Sequence, residues 1–383
     1  MLNEMRSQLI VNLEAISRRD FMTKQNSRDT LPTLPGLLAD PKRILKQDER
    51  VDPRILQVLE PFGLDGLPAE PPLDGSAPIE ELRSFCSDVE GGFEGFFEAV
   101  LSNTQPIDGI ERSTEIIKGE AGHEIKLYIH RPVGVTETMP CVYHIHGGGM
   151  VMLQANKPAY NHWRDYLSSK KLVVIGVEFR NGAGVLGDHP FPAGLDDCMA
   201  GLEWVFSAKK KLDIGSIVVS GESGGGNLSL ALTLRAYREG KSHLIQGTYA
   251  LCPYIYGDYA NKTKDLPSLY ENDGYFLLVR TMEALAAVYD PEKKNMDNPL
   301  CWPFQASVED LKGLPPHCIS VNELDPLRDE GLAYFRKLTK AGVTAYSRTV
   351  NGTVHAADVL MVESIPEVSD ATARDIAGFA RKV

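Results

Sequence analysis

The stretch that decides the fold is Ser216-Ile-Val-Val-Ser-Gly-Glu-Ser-Gly-Gly-Gly-Asn-Leu-Ser-Leu-Ala-Leu232. Its β-branched beginning predicts a short buried strand at residues 217–220, and its Ala/Leu-rich end predicts a helix directly after Ser223. Gly221 and Gly225 stand two residues before and two residues after that serine. A turn from strand to helix over one residue strains its backbone and leaves room only for small neighbours. We therefore predict that Ser223 is a nucleophile at the tip of a sharp elbow.

From about residue 112 the chain alternates strand patterns with amphipathic helix patterns. Such alternation is typical of the α/β class, with a mostly parallel sheet covered by helices on both faces. The predicted strands are residues 125–130, 141–146, 172–179, 217–220, 247–252, 318–321 and 343–350. The predicted helices are residues 160–169, 194–210, 224–238, 326–341 and 369–382. Only a turn separates the first two strands, so we expect them to pair as an antiparallel edge.

Two parts of the chain depart from this alternation. The N-terminal part is rich in proline and glycine and carries short helix patterns at residues 9–16, 79–87 and 93–101. The second part, at residues 254–296, lacks a strand pattern and is rich in Tyr, Asp and Asn. This composition indicates a segment that lies above the strand ends. We divide the chain into an N-terminal helical arm or lid at 1–105, a first core part at 106–253, a lid insertion at 254–296 and a second core part at 297–383.

The composition excludes several classes of partner. The 383 residues carry a formal net charge of −12 at pH 7, so no basic stripe is available for nucleic acid or for an anionic membrane. No apolar run reaches the ~18 residues of a membrane span. Ser17-Arg-Arg-Asp-Phe-Met22 resembles a twin-arginine export signal, but polar residues follow where such a signal needs an apolar stretch. The sequence is compatible with a homo-oligomer.

The cysteines indicate the compartment. None of the six has CxxC spacing, which disfavours a zinc knuckle or a redox pair. Cys141, Cys252 and Cys318 lie in apolar strand patterns, where a free cysteine acts as a small core residue. We expect reduced thiols and a cytoplasmic protein, although an even number of cysteines also permits disulfides.

Ser223 needs a base, and the base needs an orienting acid, because a serine hydroxyl is a poor nucleophile at neutral pH. In an open α/β sheet these partners come from loops after later strands, in the order serine, acid, histidine. Asp325 follows the strand pattern that ends at Val321, and His355 follows the last strand pattern. Alone, Asp325 fits a helix cap equally well, and a single histidine such as His355 is more often a surface residue. Their order makes them the predicted acid and base.

Acyl transfer also needs hydrogen-bond donors for an oxyanion. Tyr143-His-Ile-His-Gly-Gly-Gly-Met150 places three glycines directly after a buried strand. Successive glycines let backbone N–H groups converge on one point. The N–H groups of Gly148, Gly149 and Gly224 are the predicted donors.

A metal site is the alternative use of this segment. His144 and His146 stand two residues apart, so both lie on one face of the predicted strand. No third ligand has supporting spacing, and the glycines match neither GxGxxG nor GxxxxGK[ST]. We therefore expect no metal and no cofactor.

Together these residues resemble the hormone-sensitive-lipase family of α/β-hydrolase esterases. The matching elements are His146-Gly147-Gly-Gly149, Asp188-His-Pro-Phe-Pro-Ala193 with Asp196 and Asp197, Gly221-Glu222-Ser-Gly-Gly225, Asp325-Pro-Leu-Arg-Asp-Glu330 and His355. The resemblance implies an eight-stranded sheet with a lid formed by the N-terminal region and the insertion after Cys252. It also implies hydrolysis of carboxylic esters by a triad of Ser223, Asp325 and His355.

The chain also departs from the family pattern. Leu153 stands where many members have a further glycine, and Phe179-Arg-Asn-Gly-Ala-Gly184 replaces a common Tyr-Arg-Leu-Ala-Pro run. Both departures lie near the substrate side. They therefore argue against the family's usual substrates for this chain, and they leave the triad unchanged. Within the family, a bacterial esterase branch is most similar, through the segments 221–227, 271–276 and 322–331.

The predicted function is that of a metal-free serine carboxylesterase that forms an acyl-enzyme. A lactone or macrolactone hydrolase with the same triad is one alternative. A ligand-binding receptor on a hydrolase scaffold is another, since receptors of this family lack the histidine. We expect a small ester or lactone to bind beneath the lid among side chains that could equally be core: Met150, Leu153, Tyr254, Tyr275, Phe276 and Trp302.

Overall fold

The computed structural model describes residues 34–102 and 104–383. The helix pattern at 9–16 and the twin-arginine motif at 17–22 lie outside these residues. Eight strands form one sheet in the order β1-β2-β4-β3-β5-β6-β7-β8. They are β1 (Ile110–Lys118), β2 (Glu124–Pro132), β3 (Met139–Ile145), β4 (Val173–Val177), β5 (Ile214–Glu222), β6 (Gly247–Leu251), β7 (His317–Asn322) and β8 (Ala345–Val350). The pairs from β4 through β8 are parallel, so the expected mostly parallel sheet of about eight strands is confirmed.

Eleven α-helices accompany the sheet in the described residues. They are α1 (Gly36–Ala39), α2 (Pro53–Leu59), α3 (Ile79–Leu101), α4 (Pro158–Ser168), α5 (Ala193–Ser207), α6 (Gly224–Arg238), α7 (Ser268–Glu271), α8 (Val279–Tyr289), α9 (Arg328–Lys340), α10 (Ala357–Leu360) and α11 (Pro366–Lys382). Helices α4, α10 and α11 contact one another, while α5 contacts α6. The central strand β3 contacts both α6 and α11. The group of α4, α10 and α11 covers one face of the sheet and the group of α5 and α6 covers the other, as expected. No helix in the described ranges is long and apolar enough to cross a membrane.

The strand pairing at one edge differs from the prediction. We expected the strands at 125–130 and 141–146 to pair, but β2 pairs antiparallel with β1 on one side and with β4 on the other, while β3 lies between β4 and β5. The prediction was wrong because it missed β1. That strand carries four charged residues and is mostly exposed, so it lacks the apolar run that marks a strand in sequence.

The helix prediction in the N-terminal part is also corrected. The two short helices expected at 79–87 and 93–101 are one helix, α3, of 23 residues. A Cβ added at Gly91 or Gly92 would meet no atom within 4 Å in the described part of the chain, so both glycines face open space. The buried face carries Leu82, Phe96 and Phe97 and packs on α4 and α8. This packing outweighs the low helix propensity of two glycines.

The predicted elbow lies at the centre of the sheet. Strand β5 passes into α6 through Ser223 alone, whose φ of 57° and ψ of −119° are strained for any residue with a side chain. A Cβ at Gly221 would lie 2.3 Å from the carbonyl oxygen of Ile145, and a Cβ at Gly225 would lie 1.9 Å from the same atom. The end of β3 therefore presses on the elbow from both sides of Ser223, and only glycine fits at these two positions.

We predict that Gly225→Ala destabilises the protein by about 3 kcal/mol or more, because a Cβ cannot avoid the backbone carbonyl of Ile145 without moving β3. Gly378→Ala is the matched control, since this exposed glycine of α11 has no atom of the described chain within 4 Å of an added Cβ. Alanine there should stabilise the protein by about 0.5–1 kcal/mol. Urea unfolding measures both changes, and equal stability of the two variants would contradict the steric explanation.

Candidate active site

The three predicted triad residues lie at the carboxyl ends of β5, β7 and β8. The Nδ1 atom of His355 is 2.7 Å from Oδ2 of Asp325. Asp325 is fully buried and His355 is 5% exposed, so this hydrogen bond is shielded from water. Ser223 and His355 line the same cavity. Because Nδ1 faces the carboxylate, Nε2 is the ring nitrogen left for the serine hydroxyl.

The loop that carries Asp325 is held by the segment around α7. The side-chain amide of Asn272 donates to the backbone oxygens of Glu323 and Asp325, at 3.1 Å each. The hydroxyl of Ser268 donates to the backbone oxygen of Pro326 at 2.7 Å. Asn272 and Ser268 are fully buried, so these bonds fix the acid loop from outside the sheet.

An ion-pair network extends this support to the N-terminal part of the chain. The carboxylate of Glu271 accepts from Arg328 at 2.7 Å and from Arg50 at 2.5 Å. Arg50 also binds Asp48 at 2.8 Å. Burial opposes the ionisation of Glu271, but the hydrogen bonds and charges of the two arginines outweigh it and lower the pKa of Glu271 below its usual 4.5. Glu271, which belongs to the insertion at 254–296, thus connects this segment to Arg50 and to the start of α9.

The histidine loop is held from the end of β7. The side-chain amide of Asn322 donates to Thr353 at 2.7 Å and to Asp358 at 2.9 Å, and its oxygen accepts the N–H of Ala356 at 3.1 Å. These three partners bracket His355 in the chain. Neither Asn322 nor Asp358 was predicted from the sequence to have a role. The available signal for Asn322 was its position directly after the predicted strand at 318–321.

The glycine loop after β3 is tied to the elbow by Glu222. One oxygen of this buried carboxylate accepts the N–H of Gly147 at 2.7 Å, and the other lies 3.0 Å from Nε2 of His144. A Cβ at Gly224 would lie 2.7 Å from the backbone nitrogen of Gly149. Gly148 has φ 102° and Gly149 has φ 62°, values that favour glycine. The structure therefore brings together the three glycines that were predicted as oxyanion donors.

The two histidines considered for a metal have other partners. His146 stacks on Phe179 with ring centroids 4.3 Å apart and donates from Nδ1 to the oxygen of Gly147 at 2.8 Å. Burial lowers the pKa of His146 to about 3, so its ring is neutral. His144 is bound to Glu222. The geometry gives each ring a separate structural contact, and the metal alternative has no support at this strand.

A different group of metal-type side chains lies at the triad. Donor atoms of Cys252, Asp325 and His355 all fall within 4.8 Å of one another, which no other set of three does in the described residues. Asp325 and His355 already bind each other. Burial raises the pKa of the Cys252 thiol well above its usual value, and a protonated thiol is a poor metal ligand. The residues present therefore fit an acid–base pair better than a metal.

The cavity at Ser223 has about 500 Å³ of empty space, counted together with the open solvent at its mouth. Its walls are mainly apolar side chains from α3, α4, α8, α10 and two loops: Phe93, Phe97, Met152, Leu153, Tyr160, Phe276, Leu277, Met282, Leu285 and Leu360. Leu153 and Phe276 were predicted here. The aromatic residues of α3 were missed, although Phe93 and Phe97 stand four apart and so share one helix face.

Four predicted pocket residues lie elsewhere in the core. Met150, Tyr254, Tyr275 and Trp302 are at most 1% exposed and do not line this cavity. The polar atoms of the three aromatic residues explain their positions, since each of these side chains turns toward a hydrogen-bond acceptor. Tyr254 donates to the oxygen of Met282, Tyr275 to Asp48 and Trp302 to Asp290.

Fold and site together define a hydrolase of the α/β type. Residues 142–358 match the model of a family described by its α/β hydrolase fold, and this chain belongs to that family. The chain is 32% identical over 266 residues to carboxylesterase NlhH of Mycobacterium tuberculosis, covering 67% of this chain and 78% of that protein. It is 30% identical over 241 residues to tuliposide A-converting enzyme b1 of Tulipa gesneriana, covering 59% of this chain and 60% of that enzyme.

A solved structure supports the resemblance inferred from the motifs. Brefeldin A esterase, described as a bacterial homologue of human hormone-sensitive lipase, superimposes with a TM-score of 0.87. It is 41% identical to this chain, covering 91% of this chain and 98% of that one. The membership in the hormone-sensitive-lipase group is confirmed. The names of these esterases agree with the predicted enzyme class, a carboxylic ester hydrolase.

We predict that Glu271→Gln destabilises the protein by about 2–4 kcal/mol near pH 7, because it leaves two arginines without their shared carboxylate. The lowered pKa means that the folded state favours the charged form, so this stability is present above the unfolded pKa and is lost as pH falls. The difference between variant and wild type should therefore shrink below about pH 4.5.

Glu309→Gln is the control for this comparison, since Glu309 is 79% exposed and pairs only with Lys312 among the described residues. Removal of such a surface charge should change the free energy of unfolding by less than about 1 kcal/mol. Denaturant unfolding of the three proteins at several pH values measures both effects. A gap between Glu271→Gln and wild type that stays constant down to acid pH would contradict the role of the carboxylate charge.

Proposed function

We propose that the protein is a serine carboxylesterase in which Ser223 is the nucleophile, His355 the general base and Asp325 the orienting acid. The observation that carries this proposal is the buried 2.7 Å hydrogen bond between His355 and Asp325 at the cavity that also holds the strained Ser223. Nucleophile, base and acid in this arrangement perform acyl transfer on several unrelated folds.

In the proposed reaction the Oγ atom of Ser223 attacks the carbonyl carbon of the ester while Nε2 of His355 takes the hydroxyl proton. Asp325 holds the imidazole orientation and stabilises its protonated form. The N–H groups of Gly148, Gly149 and Gly224 stabilise the oxyanion. The tetrahedral intermediate then collapses, the alcohol leaves with the proton from His355, and the acyl group remains on Ser223. Water activated by His355 cleaves this acyl-enzyme and restores the hydroxyl.

The cavity walls support an uncharged substrate with apolar groups. Phe93 and Phe97 come from the N-terminal part of the chain, and Leu285 comes from the insertion. We propose that the described residues of the N-terminal part and residues 254–296 form the lid that excludes water from the acyl-enzyme site. No cofactor takes part in the proposed reaction.

We also propose a cytoplasmic location. All six cysteines are buried and free in the described structure. Buried thiols at these positions are compatible with a reducing compartment, where disulfides are rare.

We predict that Ser223→Ala lowers kcat for a p-nitrophenyl ester by roughly 10⁴–10⁶-fold, because it removes the atom that forms the acyl-enzyme. Ser207→Ala, a change at the exposed last residue of α5, should leave kcat unchanged. A fluorophosphonate probe should label the wild type and fail to label Ser223→Ala. Turnover near the wild-type value by Ser223→Ala would overturn the assignment. Absence of labelling and of hydrolysis in the wild type would favour a ligand-binding receptor.

Lactone hydrolysis is the second candidate, since opening a cyclic ester breaks the same acyl–oxygen bond at the same triad. The observation that favours testing it is the 41% identity to an esterase whose name specifies brefeldin A. We predict faster hydrolysis of a linear acyl ester than of brefeldin A, because a flexible linear chain adapts to a cavity walled on several sides more easily than a macrocycle does. Rates on the two compounds, with Ser223→Ala as blank, decide the preference. A higher kcat/KM for brefeldin A would assign the lactone function.

A further inference from the structure

Leu153 has a backbone conformation that leucine rarely adopts. Its φ is 76°, inside the left-handed region that favours glycine. Its side chain is 4% exposed and lines the active-site cavity. A Cβ added at Gly148 would lie 3.2 Å from the Cβ of Leu153, so this side chain stands beside a proposed oxyanion donor. Residues in such conformations persist only where their surroundings fix them, and they are frequent at functional sites.

Two buried polar side chains fix Leu153. Its N–H donates to Oε1 of Glu90 at 2.6 Å, and its backbone oxygen accepts from the amide of Asn181 at 2.6 Å. The second oxygen of Glu90 accepts the N–H of Val185 at 2.9 Å. Glu90 belongs to α3 and is 3% exposed, and Asn181 is fully buried. Loss of either contact would leave a buried polar group unpaired, so the conformation of Leu153 is strongly held.

A second cavity lies behind the leucine. Its empty space, counted together with the open solvent at its mouth, is about 270 Å³, and it is bounded by Glu94, Glu98, Lys157 and residues near them. Phe97, Leu153 and Tyr160 line both this cavity and the one at Ser223. These three side chains therefore form the partition between the two cavities. Leu153 is the member of the partition whose backbone conformation glycine would adopt without strain.

We propose that Leu153 is a specificity-determining residue that closes one end of the substrate cavity and so limits the length of the apolar group that the enzyme accepts. This inference rests on the proposed esterase function. Removal of the leucine side chain joins the cavity at Ser223 to the cavity behind it. A longer acyl chain then enters a space that the wild type closes. The preferred substrates of the wild type are accordingly esters with short chains on this side.

The variant that tests the partition is Leu153→Gly, because glycine keeps the left-handed backbone and both hydrogen bonds while it opens the wall. The readout is the ratio of kcat/KM for p-nitrophenyl octanoate to that for p-nitrophenyl acetate. We expect this ratio to rise by about tenfold or more, since each methylene that a pocket accepts or rejects changes kcat/KM by roughly 10–200-fold. A ratio within twofold of the wild type, in a variant with an unchanged melting temperature, would overturn the proposal.

Two controls separate the partition from other effects. Lys171 is exposed and has φ 61°, so Lys171→Gly makes the same backbone change away from the cavity and should leave the ratio unchanged. Leu285 lines the cavity at Ser223 without bordering the second cavity. Leu285→Ala should therefore raise the ratio less than Leu153→Gly does. Equal effects of the two cavity variants would show general enlargement and overturn the role of the partition.

A binding measurement makes the result independent of turnover. In the Ser223→Ala background, Leu153→Gly should tighten the binding of p-nitrophenyl octanoate by about tenfold and leave that of the acetate ester unchanged, as measured by calorimetry. Unchanged octanoate binding would overturn the partition even if the wild type is an active esterase. Tighter octanoate binding with no hydrolysis by the wild type would retain the partition and reject the esterase function.

Discussion

The close contact between the elbow and the end of β3 is the constraint on which the site depends. Gly221 and Gly225 allow the carbonyl oxygen of Ile145 to approach both sides of the turn, and this approach brings the glycine loop that follows β3 to Ser223. Glu222 then binds the N–H of Gly147 across the same contact. The proposed nucleophile and the proposed oxyanion donors are consequently positioned by one steric fit.

The proposed acid and base need a different kind of support, because they lie on loops beyond the parallel strands. Asn322 holds the histidine loop from the last residue of β7, and Asn272 holds the acid loop from the insertion. The ion pairs of Glu271 connect this insertion to Arg50 in the N-terminal part. The segments proposed as the lid therefore also hold the acid loop. A displacement of these segments would change the position of Asp325 as well as the access of substrate.

The sequence allowed the strand–elbow–helix unit, the triad order and the glycine loop to be predicted because each is encoded by neighbouring residues. Such local patterns do not encode contacts between segments that are distant along the chain. Nothing near Asn272 indicates that its amide binds Asp325, 53 positions further along the chain. The pocket prediction was right for Leu153 and Phe276 and wrong for four other residues for a related reason. In a sequence, an aromatic residue of the core such as Trp302 looks the same as one of a cavity wall such as Phe97. Charged β1 was missed because an edge strand needs few apolar residues.

Backbone strain links the site to the stability of the whole molecule. Ser223, Leu153, Phe276 and Ala356 all line the cavity and all have positive φ without being glycine. Each such residue costs on the order of 1–3 kcal/mol, a large fraction of the net stability of a typical domain. The buried contacts described above, from Glu90 and Asn322 among others, offset this cost locally. A cavity wall built from strained backbone can fit a substrate closely, but only while the hydrogen bonds that hold this backbone remain intact. Substitutions of those supports should therefore alter substrate preference before they unfold the sheet.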